Sequence, residues 1–101
     1  MHKIVYLPSA QSDLLAATDY LVTVLDAPKA AADLLDEFDR AVEQLAQFPY
    51  AHELYRTACP MQDEIRKVPI KNYVLYYAVF PEHVEIRRFL HGRRDRSKNI
   101  I

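Results

Sequence analysis

Tyr73-Val74-Leu75-Tyr76-Tyr77-Ala78-Val79-Phe80, then Pro81-Glu82-His83, then Val84-Glu85-Ile86-Arg87-Arg88-Phe89-Leu90-His91, is the stretch that decides the fold. The first block is apolar at odd and even positions alike and rich in aromatic and β-branched residues. It therefore reads as a central strand covered on both faces. The three-residue break is a turn, and the second block pairs antiparallel with the first. Strand side chains alternate, so Arg88 is expected on the face of Val84, Ile86 and Leu90, and Arg87 on that of Glu85, Phe89 and His91. Upstream, Glu64 to Ile70 forms a further strand. Pro69 marks it as an edge or a bulge, because proline has no N–H to donate to a ladder.

Further upstream the period changes from two to three and four. Leu34, Leu35, Phe38, Val42, Leu45 and Phe48 recur at helical spacing, with Asp33, Asp36, Glu37, Asp39, Arg40 and Glu43 between them. The pattern predicts a helix over 30–48, stopped by Pro49. Asp26-Ala27-Pro28 starts it, with Asp26 of the capping type and Pro28 tolerated only in the first turn. An earlier helix, Ser9 to Leu25, carries Leu14, Ala17, Leu21 and Leu25 on one stripe, with Ser9 as its cap. Lys3 to Leu7 precedes it as a short strand ended by Pro8. The order β-α-α-β-β-β predicts an α+β domain: a helical hairpin packed on one face of an antiparallel sheet. Residues 49–63 have no period, and a loop of that length is functional or mobile.

Composition narrows the function. The chain has 101 residues, half of them apolar, which suits one domain with one modest core. Its single glycine, Gly92, excludes a Gly-rich phosphate loop or dinucleotide fingerprint. Cys59, the only cysteine, excludes an internal disulfide, fits a reducing cytoplasm and reads as inert. No apolar run is long enough to span a bilayer and no signal peptide is visible, so a cytoplasmic protein without membrane contact is expected. Four scattered histidines and one cysteine give no ligand spacing, so neither a metal nor a cofactor is expected.

The net charge of −1 hides an asymmetry. Residues 1–64 carry four Lys/Arg against eleven Asp/Glu, and residues 65–101 carry nine against three. Either the second half presents a positive surface to an anionic partner, or the halves neutralise each other across the fold.

The last strand and its exit, Val84-Glu85-Ile86-Arg87-Arg88-Phe89-Leu90-His91-Gly92-Arg93-Arg94-Asp95, resemble the C-terminal signature of the RelE/ParE superfamily, the toxins of bacterial type II toxin–antitoxin pairs. Pro8-Ser9-Ala10 with Asp13-Leu14 resembles the opening of that family's first helix, and Leu45 through Phe48-Pro49 the end of its second. Asn72-Tyr73-Val74-Leu75-Tyr76-Tyr77 resembles its central strand. The resemblance covers nearly the whole chain and implies the same element order. It implies a cognate antitoxin as partner and contact with operator DNA only through that antitoxin; a homodimer is the alternative that the apolar central strand leaves open.

Two activities occur in the superfamily. ParE-like members inhibit DNA gyrase; RelE-like members cut messenger RNA on the ribosome. Where RelE-like nucleases carry an arginine and a tail tyrosine, this sequence has Val74 and Ile100. The ParE-like reading is therefore preferred. The RelE-like endonuclease is the alternative, and a non-toxic corepressor that only binds antitoxin is a second. Whether the chain is an enzyme depends on that choice. If it is a nuclease, His91 is the general base, with Arg94 and Lys67 for the developing charge; otherwise His91 closes the strand end. Arg66, Arg87, Arg88, Phe89, Arg93 and Arg96 are the expected contacts to target or antitoxin. Arg88 has a second reading, as one half of a structural ion pair with Asp13 or Asp19. A central strand apolar on both faces, with one helical hairpin to cover it, further implies that antitoxin, a second copy or the tail covers the other face.

Overall fold

The computed structural model describes residues 1–55 and 63–92. Strand β1 (Lys3–Tyr6) leads into helix α1 (Pro8–Asp19), which continues as a π-helical turn (Tyr20–Val24). Helix α2 (Pro28–Gln47) follows, then strands β2 (Ile65–Ile70), β3 (Tyr73–Val79) and β4 (His83–His91). Two helices pack on a four-stranded sheet of order β1-β4-β3-β2, an α+β fold with the expected order of elements. One strand departs from expectation: β1 runs parallel to β4, so the sheet is mixed rather than antiparallel. The chain leaves β1 directly into α1, and the two helices return it to the far side of the sheet before β2 begins.

Helix α2 buries Leu34, Phe38, Val42 and Leu45, as its period requires, together with Ala31 and Ala46. Leu35 lies one step off that stripe and Phe48 beyond the last turn, and both are exposed. Helix α1 buries only Ala10 and Ala17; Leu14 and Leu21 pack partly buried against the core. Its start differs from the sequence reading. Leu7 is the extended residue before it and Pro8 fills the first turn. Ser9 already lies inside the helix, and its hydroxyl donates to the Arg87 carbonyl at 2.9 Å.

Asp26 also takes a different role. It does not cap α2, whose preceding residue is Ala27. Instead it has φ 50°, and the Ala27 N–H reaches back across it to the Leu21 carbonyl at 2.8 Å. That is a left-handed closure of the first helix, with aspartate where glycine is commonest. Pro28 then opens α2 in its first turn, as expected.

The central strand is as apolar in structure as in sequence: Leu75 and Tyr77 on the helix side and Tyr76 and Ala78 on the other are all buried. The second face is already buried in the single chain at Ile65, Tyr76, Ala78 and Leu90, with Tyr55 edge-on to Tyr76 at 5.2 Å. A partner is therefore not required to cover those side chains. Strand β2 is the sheet edge that Pro69 indicated. Its outward groups at Ile65 and Lys67 bond the backbone of Tyr55 and Glu53. The next outward position is Pro69 itself, which has no N–H.

Tyr77 ties this frame to the loop after α2. Its hydroxyl donates to the Pro49 carbonyl at 3.0 Å. Burial pushes its phenol up to about 12, against the opposing pull of the Arg66 charge. A tyrosine in the unfolded chain ionises near 10. The folded state therefore keeps a proton that the unfolded state loses, and stability falls as pH rises from about 10 to 12, by roughly 2–3 kcal/mol. Urea midpoints across this range should drop steeply, and Tyr77→Phe should make the drop shallower. An unchanged slope in that variant would refute the assignment.

Candidate interaction site on the last strand

Strand β4 is irregular where the two arginines lie. Tyr76 pairs with Arg88, but the next residue of β3, Tyr77, pairs with Ile86. Arg87 is the extra residue of a β-bulge, and side-chain alternation resets across it. Val84, Ile86 and Phe89 consequently share the helix-side core, while Leu90 joins Tyr76 and Ala78 on the opposite face. The expected grouping of Arg88 with Val84 and Ile86, and of Phe89 with Arg87, does not hold. Phe89 is 1% exposed, stacked on Tyr73 at 5.0 Å and edge-to-face with Phe38 at 5.1 Å. It is a core residue, buried away from any partner surface.

Strand β1 pairs with β4 only as far as Ile86. Beyond that point helix α1 takes the place of the missing strand through its side chains. Ser9 donates to the Arg87 carbonyl, and the Phe89 N–H donates to Asp13 Oδ2 at 3.0 Å. The same Asp13 carboxylate holds Arg88 bidentately, Nε to Oδ2 at 2.6 Å and Nη2 to Oδ1 at 3.0 Å. The side chains of Arg88 and Asp13 are 20% and 11% exposed. Hydrogen bonding to Asp13 raises the Arg88 pKa further, against the pull of partial burial. Of the two acidic partners expected for Arg88, Asp13 and Asp19, the structure selects Asp13.

Arg87 is clamped separately. Its Nη2 contacts Asp63 Oδ2 at 2.8 Å and Glu85 Oε1 at 2.9 Å. Its side chain is 12% exposed, and among the described residues its buried Nε–H has no hydrogen-bond partner. Arg66 lies over the ring of Tyr50, 5.1 Å from its centre, and donates to the His52 carbonyl at 2.8 Å. Lys67 faces Glu53 at 3.9 Å. The carboxylates that meet Arg87, Arg88 and Lys67 thus include Asp63, Asp13 and Glu53, all from the acidic first half. For these strand cations the charge asymmetry is spent on complementing the fold. Asp63, Tyr50 and Glu53 were not legible as partners, because they lie in the stretch that carries no period.

The expected nuclease set is not assembled on the strands. Lys67 pairs with Tyr76 in the ladder, and His91 pairs with Tyr73. Tyr73 and Tyr76 are an odd number of residues apart on a regular strand, so Lys67 and His91 lie on opposite faces of the sheet. His91 is exposed at the strand end with its ring edge-on to Tyr73 at 5.3 Å. Gly92 follows, its N–H bonding the Asn72 carbonyl at 2.8 Å. Arg93, Arg94 and Arg96 lie outside the described residues, as do Cys59 and Ile100. Among the described residues no group of His, Cys, Asp and Glu could hold a metal ion, and no helix is long and apolar enough to cross a membrane.

Two helices packed on a mixed four-stranded sheet form a fold already seen in a toxin–antitoxin structure. A chromosomal ParDE toxin–antitoxin system from P. aeruginosa has this fold: its structure superposes with a TM-score of 0.71 at 20% identity, covering 90% of this chain and 96% of that one. The model of a family described as the ParE toxin of the type II toxin–antitoxin system parDE matches residues 4–96, and the chain belongs to that family. No curated protein matches the sequence.

Proposed function

We propose that this toxin binds and inhibits DNA gyrase and is neutralised by a cognate antitoxin. The observation that carries the reading is the ParE family match over nearly the whole chain. The separation of Lys67 from His91 supports it, because cleavage of RNA requires a base and phosphate-binding cations to converge on one 2′-hydroxyl and its phosphate. The paired arginines of β4 act in this reading as the frame of the toxin. The cationic positions Arg93, Arg94 and Arg96, with Arg66 beside Tyr50, are left to meet an acidic surface of the target or the antitoxin. The antitoxin carries any contact to operator DNA.

The experiment is a paired assay on one protein preparation. Gyrase supercoiling should be inhibited, and primer extension on programmed ribosomes should show no cleavage at the A-site codon. Strong codon-positioned cuts that vanish in His91→Ala would replace gyrase with messenger RNA as the target. The neighbouring reading frame should encode a small acidic protein that co-purifies with this chain, and failure to form a complex at micromolar concentration would remove the antitoxin from the scheme.

A further inference from the structure

The turn that follows α2 displays what the rest of the chain buries. Phe48 is 64% exposed and Tyr50 62%, while Pro49 between them is buried. No other aromatic side chain among the described residues is as open to solvent. Phe48 continues the apolar period of α2 in sequence, but the helix ends at Gln47 and Phe48 has φ −132° and ψ 67°. The period that buries Leu45 therefore no longer acts on it, and the residue is turned out.

The display is rigid, because the backbone is held along its length. The Phe48 N–H bonds the Gln44 carbonyl at 2.8 Å, and the Ala51 N–H closes the turn on the Phe48 carbonyl at 3.2 Å. From the buried central strand, the Tyr77 hydroxyl holds the Pro49 carbonyl at 3.0 Å. From β2, Arg66 donates to the His52 carbonyl at 2.8 Å. Side chains carried on a backbone already fixed lose less freedom when they are bound. Arg66 joins the surface, its guanidinium 5.1 Å over the Tyr50 ring. Among the described residues it faces no carboxylate. Lys67, the next cation along β2, already faces Glu53 and points to the other side of the strand. Aromatic residues and arginine are the types enriched at the centre of interfaces, where they act as anchors.

We propose that the turn from Phe48 to Ala51 is the anchor by which the toxin engages its target: Phe48 and Tyr50 enter an apolar recess on the folded target, and a carboxylate at the rim of that recess meets Arg66. The proposal rests on the gyrase reading and names the surface of this chain that carries it. The shape of the surface decides the occupant. A segment that folds as it binds is received by a groove, whereas two adjacent side chains, each more than half open, form a knob. A knob needs a pocket that already exists on a folded surface. A second copy fits poorly. Two-fold pairing of the turn with itself brings Arg66 against Arg66, and like charges juxtaposed in an interface are disfavoured.

The test measures the concentration of full-length chain that halves gyrase supercoiling. Phe48→Ala and Tyr50→Ala should each raise it at least about tenfold, the effect of truncating an anchor residue. Tyr50→Phe should match the wild type, because the ring and not the hydroxyl fills the recess. Thermal midpoints should stay close to that of the wild type, as for other exposed positions, and all three variants should still co-purify with the antitoxin. If the wild-type chain leaves gyrase untouched, the gyrase reading falls and the anchor falls with it. If the wild type inhibits and both alanine variants inhibit equally well, the anchor alone is overturned. Two further results would overturn it by giving the turn another occupant. One is loss of the antitoxin complex in the alanine variants with inhibition intact. The other is sedimentation showing a dimer that Tyr50→Ala dissociates.

Discussion

Replacing Asp13 with alanine is expected to destabilise the fold by about 2–4 kcal/mol, somewhat below the cost of breaking a fully buried ion pair because the pair retains some solvent contact. Asp13 serves three donors at once: Nε and Nη2 of Arg88 and the N–H of Phe89. Its loss removes the carboxylate that holds the Arg88 guanidinium bidentately and takes the side-chain acceptor from a strand N–H at the place where β1 has already ended. Arg88→Ala should cost less, because the remaining carboxylate keeps the Phe89 N–H. Asp13→Asn should fall between alanine and wild type, since an amide oxygen can still accept from that N–H. Urea denaturation of the three variants and the double Asp13→Ala/Arg88→Ala protein provides the check. A coupling energy near zero would mean that the pair is incidental.

Phe89→Ala is expected to cost about 3–5 kcal/mol, the range for deleting a buried phenylalanine. A domain of this size has only about 5–15 kcal/mol in total. The ring packs against both Phe38, edge-to-face, and Tyr73, face-to-face, so its deletion leaves a cavity bounded by two rigid rings. The loss should be visible in the denaturation midpoint of the isolated chain. A variant that instead keeps its midpoint and loses only its affinity for antitoxin or gyrase would place Phe89 on the surface and refute the packing.

The contrast between these two positions explains what was legible in the sequence. Helix α2 could be read because its apolar residues repeat without interruption and its boundary is a proline. Strand β3 could be read because alternating burial makes no difference when both faces are covered. The orientation of Phe89 could not be read, because period-two reasoning assumes an unbroken ladder and the bulge at Arg87 has no glycine or proline to announce it. Asp26 was ambiguous for a chemical reason: the short carboxylate that favours a helix start also tolerates the left-handed conformation that ends one. The direction of β1 against β4 is a tertiary choice that no local signal encodes. Of the candidate contacts, the sequence identified an arginine in need of Asp13 or Asp19. It could not say that the opposite charges of the two halves would meet at Arg87 and Lys67 through Asp63 and Glu53, because those acids sit in a stretch with no pattern.

The closure of the β2 edge has a consequence for assembly. Residues Glu53 and Tyr55 occupy the outward bonds at Lys67 and Ile65, and Pro69 removes the next donor in the row. A sheet that can be extended from two sides is a template for open-ended polymers, since every added strand presents a fresh edge to the next chain. With one side sealed, the sheet has a valency of at most one for strand addition. A partner that lends a strand terminates the sheet, and the stoichiometry of such a complex is fixed at one strand per chain. A chain built this way cannot propagate strand addition into a fibre.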